Sequence, residues 1–168
     1  MPRLSREIII TEKIDGTNAQ VFIADDGTML AGSRSGWITP ADDNFGFAAW
    51  VEEYADELRS LGPGRHFGEW WGAGIQRKYG IADKRFSLFN VSRWEIDRPR
   101  CCGIVPVLYR GDFTTTAVDD AIAELRKNGS KAAPGFMNPE GVVVFHLAGN
   151  VGFKKTLDKD EVPKGMQP

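Results

Sequence analysis

Between residues 7 and 33 the chain alternates extended, β-branched runs with tight-turn residues, and nothing else in the sequence restricts its fold as strongly. Residues 7–14, 18–24 and 28–33 read as a three-strand meander, with Asp25-Asp26-Gly27 as a connecting turn. The pattern recurs at 66–71, 86–94, 105–109, 141–147 and 151–156. Helical spacing appears twice. Phe47, Val51, Tyr54, Leu58 and Leu61 mark one helix, with Asp42-Asp43-Asn44 as capping candidates and Gly62-Pro63 as its stop. Val118, Ile122 and Leu125 mark another, with Thr115 or Thr116 as N-cap and Asn128-Gly129 as its end. Strands with hairpin-like connections and two interspersed helices predict an α+β fold of antiparallel sheets with flanking helices.

A chain of 168 residues is long enough for one well-cored domain and short for two, so a single domain over 1–168 is expected. No stretch approaches the ~20 consecutive apolar residues of a membrane helix, and residues 1–7 lack the apolar core of a secretory signal. The cysteines, Cys101 and Cys102, are adjacent, which fits reduced thiols and a cytoplasmic protein better than a disulfide framework or zinc site. The net charge of −2 argues against a broad polyanion-binding surface. A local basic groove could draw on Arg77-Lys78, Lys84-Arg85 or Arg93, Arg98 and Arg100, although such runs are also ordinary solvated faces. The charged tail, 157–168, reads as a frayed end.

The chemistry is concentrated in Glu12-Lys13-Ile14-Asp15-Gly16-Thr17-Asn18. Lys13 ends an apolar run and precedes a glycine that permits a tight turn, so it is a candidate covalent nucleophile. Alone, the Asp15-Gly16 pair would equally describe a solvated β-turn. Further stretches follow in chain order: Ser33-Arg34-Ser35-Gly36, Phe67-Gly68-Glu69-Trp70, residues 86–91, Glu140-Gly141-Val142-Val143-Val144 and Phe153-Lys154-Lys155-Thr156.

This series resembles the nucleotidyltransferase motifs of ATP-dependent polynucleotide ligases and mRNA capping enzymes, over residues 8–156. The Glu-Lys-x-x-Gly-Thr-Asn form looks most like the phage-type RNA ligases. The resemblance implies two antiparallel sheets with flanking helices, ATP and Mg²⁺ (or Mn²⁺) as cofactors, and a lysyl-AMP intermediate on Lys13. It assigns Glu12 to the adenine edge, Asn18 to the ribose or phosphate side, Glu69 to a ribose hydroxyl and Phe89 to stacking on adenine. Arg34, among small residues, suits ribose oxygens or a 5′-phosphate, and Glu140 is the candidate metal carboxylate. Local sequence offers plainer readings: a strand-end arginine for Arg34, an arginine partner for Glu69 and core packing for Phe89. His66 and His146 read as structural or surface residues, and Trp70 and Trp71 as core.

Two features depart from the pattern. Asp15 stands where many RNA ligases carry histidine and many DNA ligases aspartate. In the last motif Lys154 and Lys155 are adjacent and Thr156 takes the position of a second lysine. Strand alternation turns Lys154 toward the phosphates, where its charge would disfavour the ammonium form of Lys13, and Lys155 away. The expected activity joins 5′-phosphate to 3′-hydroxyl RNA ends. A DNA- or nick-sealing ligase, or a binding module that no longer catalyses, are the alternatives. The chain continues only a short way past the last motif, so no OB or other C-terminal domain is expected, and a partner protein could supply a substrate-binding domain.

Overall fold

The computed structural model describes residues 6–157, so the readings made for 1–5 and 158–168 lie outside the described residues. Within the described residues the chain packs into two compact units: 6–14 with 106–157, and 15–105. The chain passes from one to the other at Ile14/Asp15 and returns at Val105/Pro106.

The first unit is built on a four-stranded antiparallel sheet. Its strands are β1 (Glu7–Lys13), β8 (Val107–Asp112), β9 (Gly141–His146) and β10 (Val151–Thr156), in the order β10-β9-β1-β8. Helix α4 (Thr115–Asn128) covers one face, setting Ala117, Val118, Ala121, Ile122 and Leu125 against Ile8, Ile10, Val142 and Val144. Its N-cap is Thr114, whose hydroxyl accepts from Ala117 N at 3.0 Å, one residue before the expected Thr115 or Thr116. The helix stops where expected, at Gly129 with φ 80°.

The second unit holds a six-stranded sheet. It contains β2 (Thr17–Ile23), β3 (Met29–Ser33), β4 (Trp37–Ile38), β5 (Gly64–Gly72), β6 (Lys84–Leu88) and β7 (Cys102–Ile104), ordered β4-β3-β2-β5-β6-β7. All pairs are antiparallel except β6 with β7. One face carries Ala19, Val21, Ile23, Ala31, Trp70, Phe86 and Leu88, which cluster with Phe47, Val51, Leu58 and Leu61. Those last four come from α1 (Phe47–Glu53), α2 (Ala55–Leu58) and a 3-10 turn, Arg59–Leu61. A Cβ at Gly68 would lie 2.4 Å from Ser87 O, so β5 and β6 approach as closely as they do only with glycine there. His66 is buried; its ring lies edge-on to Trp94, its Nε2 donates to Gly62 O at 2.8 Å, and burial pushes its pKa down.

The α+β class holds, and several local expectations change. The meander does not form as a unit: β2 and β3 make a hairpin, but β1 pairs with β8 and β9. The reason lies in Ile8 to Glu12, all buried, a run that requires a neighbour on each side. The single helix expected over 47–61 breaks at Tyr54 (φ −103°), although its apolar face continues. Asp43 serves its start as expected, with Oδ1 accepting from Ala48 N at 2.7 Å and Oδ2 from Ala49 N at 3.1 Å. The strand expected over 86–94 ends at Leu88, because Asn90 accepts from Arg93 N at 3.3 Å and caps α3 (Val91–Trp94). The cysteine sulfurs are 3.9 Å apart and free, and burial pushes the Cys101 thiol up to about 11. Among the described residues no helix is long and apolar enough to cross a membrane.

Candidate functional site

The candidate residues divide between the two units. In the first, Lys13 ends β1 opposite Gly141, the first residue of β9, and Gly141 in turn faces Thr156 on β10. Register therefore puts Lys13 and Thr156 on one face of the sheet, together with Lys154. Nothing longer than a hydrogen fits at Gly141, where a Cβ would lie 2.1 Å from Lys155 O. Lys13 Nζ donates to Glu140 Oε1 in a half-buried ion pair. Glu140 Oε2 is buried and has no hydrogen-bond partner among the described residues. A carboxylate oxygen left in that state fits a hard divalent cation completed by phosphate and water, as expected for Mg²⁺ or Mn²⁺. Among the described residues no cluster of His, Cys, Asp and Glu could hold such an ion alone.

Glu12 corrects the sequence reading. Its side chain leaves the Lys13 face, as alternation requires, but goes to the core and is 1% exposed. There Oε1 accepts from Lys131 N at 2.6 Å and Ala132 N at 3.2 Å, and Oε2 from Ser130 Oγ at 2.7 Å. The carboxylate thus ties down the start of the loop that leads to Glu140, and its oxygens are committed there instead of to an adenine edge.

The last motif follows the expected alternation. Lys154 pairs with Val143 and is exposed, whereas Lys155 pairs with the fully buried Val142 on the α4 face and reaches Asp119 Oδ1 at 3.6 Å. The charge contacting Lys13 is that of Glu140; Lys154 stands two strands over, on β10. The register yields a sharp contrast. Lys154→Ala is expected to lower any nucleotide transfer on Lys13 at least tenfold, and Lys155→Ala to leave it within about twofold. Equal losses in a labelling assay would mean that the exposed Lys154 face is not the reacting face.

In the second unit, Asn18 and Glu69 are directly paired across β2 and β5 and share a face. Glu69 Oε1 accepts from Gly16 N at 3.0 Å, so the carboxylate holds the motif backbone and not the arginine its plainer reading supposed. Gly16 is needed for close approach and not for an unusual turn: a Cβ there would lie 2.3 Å from Trp70 O. Asp15 is fixed twice, its N–H donating to the Tyr79 hydroxyl at 2.6 Å and its carboxylate meeting Arg77 Nε at 3.1 Å. Tyr79 and Arg77 carry no motif signature, and sequence reasoning missed them in this role. Phe89 lies one residue past β6, is 41% exposed and donates its N–H to Phe67 O at 3.0 Å. Core packing is therefore not its role. Arg34 sits exposed in the turn joining β3 and β4, where Ser33 N donates to Gly36 O at 2.8 Å.

Most of the basic runs have structural work. Lys84 donates to Phe45 O, Arg85 pairs with Asp83 over the Trp71 ring, Arg93 donates to Leu61 O, and Arg98 donates to the carbonyls of Trp94, Glu95 and Cys102. Trp70 and Trp71 are core, as expected, with indole N–H groups donating to Phe45 O and Ser87 Oγ.

Two mostly antiparallel sheets with few helices, one ending β1 in a lysine ion-paired to Glu140, give the class of fold. The chain belongs to the RNA ligase family, whose model matches residues 6–156. Its fold is that of solved Naegleria gruberi RNA ligase structures. A variant with ATP and Mn is 22% identical, with a TM-score of 0.67, over 94% of this chain and 51% of that one. An apo variant is 22% identical, with a TM-score of 0.69, over 92% and 50%. The ligase with PPi is 21% identical, with a TM-score of 0.67, over 92% and 50%. The chain spans about half the length of these structures.

Proposed function

We propose that this chain performs the nucleotidyl transfer of an ATP-dependent RNA ligase, with Lys13 as the nucleophile. The observation that carries this reading is the Lys13–Glu140 pair, with its second carboxylate oxygen buried and unpartnered. Family membership supports it, as do the ligands of the similar Naegleria structures: ATP and Mn in one, AMP and Mn in another, PPi in a third.

The Lys13 ammonium first loses its proton to Glu140 Oε1, the acceptor already bonded to it. The amine then forms an N–P bond to the α-phosphorus of ATP while the α–β anhydride P–O bond breaks and pyrophosphate leaves. Glu140 Oε2 is the oxygen available to Mg²⁺ or Mn²⁺, which when bound neutralises phosphate charge. Lys154 supplies a second positive charge on the Lys13 face, and Thr156 offers a hydroxyl where a second lysine would stand. Asn18, Arg34 and Phe89 are the candidates for sugar, phosphate and base contacts, and Glu69 acts by holding Gly16. AMP then passes to an RNA 5′-phosphate, and a 3′-hydroxyl displaces it to close the phosphodiester.

Incubation with [α-³²P]ATP and Mg²⁺ tests the reading. The expected product is an acid-labile, base-stable adduct that peptide mapping places on Lys13, and it should be consumed on addition of RNA carrying a 5′-phosphate. An adduct on another lysine, or none, overturns the proposal. Sealing of nicked DNA with RNA ends untouched would replace the substrate and keep the chemistry.

A further inference from the structure

The face of the six-stranded sheet that carries Asn18 and Glu69 also carries exposed aromatic side chains. Register aligns Trp37, Gly32, Gln20 and Phe67 in one row across β4, β3, β2 and β5, and the Phe89 N–H bond to Phe67 O extends that row by one residue. Three of its members are exposed aromatics: Trp37 at 48%, Phe67 at 52% and Phe89 at 41%. Beside the row, Phe22 is paired with Leu30 on one side and Arg65 on the other, and Leu30 is also exposed. The Arg65 guanidinium carbon lies 5.5 Å from the Trp37 ring centre and 5.8 Å from that of Phe22. Among the described residues, neither Arg65 nor Arg34 pairs with a carboxylate.

Large apolar groups left in water on one face mark an interaction surface. Its chemistry selects the partner. Protein interfaces favour a continuous apolar core, whereas in this row glycine and glutamine lie between Trp37 and Phe67, whose backbone positions are three strand spacings, about 14 Å, apart, and the Trp37 ring leans onto Phe22, 5.9 Å between ring centres. Spaced rings with unneutralised guanidiniums suit a polymer of flat bases joined by phosphates, because every base has a stackable face.

We propose that this face is a stacking platform for a single-stranded polynucleotide, with Phe67 and Trp37 under its bases and Arg65 and Arg34 at its phosphates. That the polymer is RNA rests on the function proposed above. The platform extends away from Phe89, so the strand runs along the row toward Trp37.

The experiment is fluorescence anisotropy of the full chain with a 3′-fluorescein single-stranded oligouridylate of about 12 nucleotides. Phe67→Ala and Trp37→Ala should each raise Kd by about 5- to 150-fold, the range for losing one base–aromatic stack. Phe67→Tyr and Trp37→Phe should bind within a few-fold of the parent chain. Arg65→Gln should reduce the salt dependence of binding. Adduct formation on Lys13 with ATP should be unaltered in all five, since none of these residues touches the ion pair. Unchanged RNA affinity in both alanine variants overturns the platform while leaving nucleotidyl transfer standing. So does equal loss in Phe67→Ala and Phe67→Tyr, or a dimer that sediments in the parent chain and dissociates in Trp37→Ala. RNA binding that depends on Phe67 and Trp37 in a chain that forms no adduct supports the platform and overturns the proposed activity.

Discussion

Lys13→Arg is expected to abolish the covalent nucleotide completely while leaving the fold intact. Arginine can keep a charged partner for Glu140, whose carboxylate is mostly buried beside Lys13. A guanidinium does not give up its proton in a protein, so the variant keeps the ion pair and removes the proposed nucleophile. Lys13→Ala should show the same loss of labelling with an added cost, because it leaves the Glu140 carboxylate without its cation. That cost is about 1–3 kcal/mol, the ordinary penalty for stranding a buried polar group. The measurements are radiolabel incorporation and thermal melting on the same preparations. A labelled Lys13→Arg protein would remove Lys13 from the chemistry.

The largest effect on stability is expected from the neighbouring residue. Glu12→Ala strips three donors at once, Ser130 Oγ, Lys131 N and Ala132 N, of a carboxylate that is 1% exposed. At about 1 kcal/mol or more per stranded group the loss reaches ~3 kcal/mol. For a chain of this size that lowers the melting temperature by about 6–12 °C. Glu12→Gln keeps one acceptor oxygen for the two backbone N–H groups and should fall between. Since the loop that Glu12 holds ends at Glu140, labelling of Lys13 should also drop. If instead Glu12→Ala melts normally and only loses affinity for ATP, the carboxylate reaches the base after all.

These two neighbours show what the sequence made legible. Alternation along β1 separates Lys13 from Glu12, and the same alternation on β10 separates Lys154 from Lys155, so short-range periodicity settled which side chains share a face. Strand and helix positions followed from it closely. What escaped was long-range capture. The turn at Asp15-Gly16 looked local, yet Trp70 O, Glu69 and Tyr79, far along the chain, determine its shape. Glu12 was read by its motif neighbours, and its partners lie 118 residues or more away. Strands β4 and β7, of two and three residues, are too short to show any period. Phe89 was placed on a strand because no pattern in the sequence reveals that Asn90 turns back to cap a helix.

The ion pair joins residues 127 apart, and β1 is interior to a sheet whose other strands all come from beyond residue 106. During synthesis Lys13 therefore emerges on a strand that has no partner. Residues 15–105 can assemble their own core first, since every strand of their sheet is already present. Closing so long a loop is slow, and Ile8-Ile9-Ile10 is meanwhile an unpaired, β-prone run of the kind that seeds aggregation. The surroundings of Lys13 are complete only once β9 and β10 have emerged, so a chain truncated before Glu140 should be inert and insoluble instead of partly active.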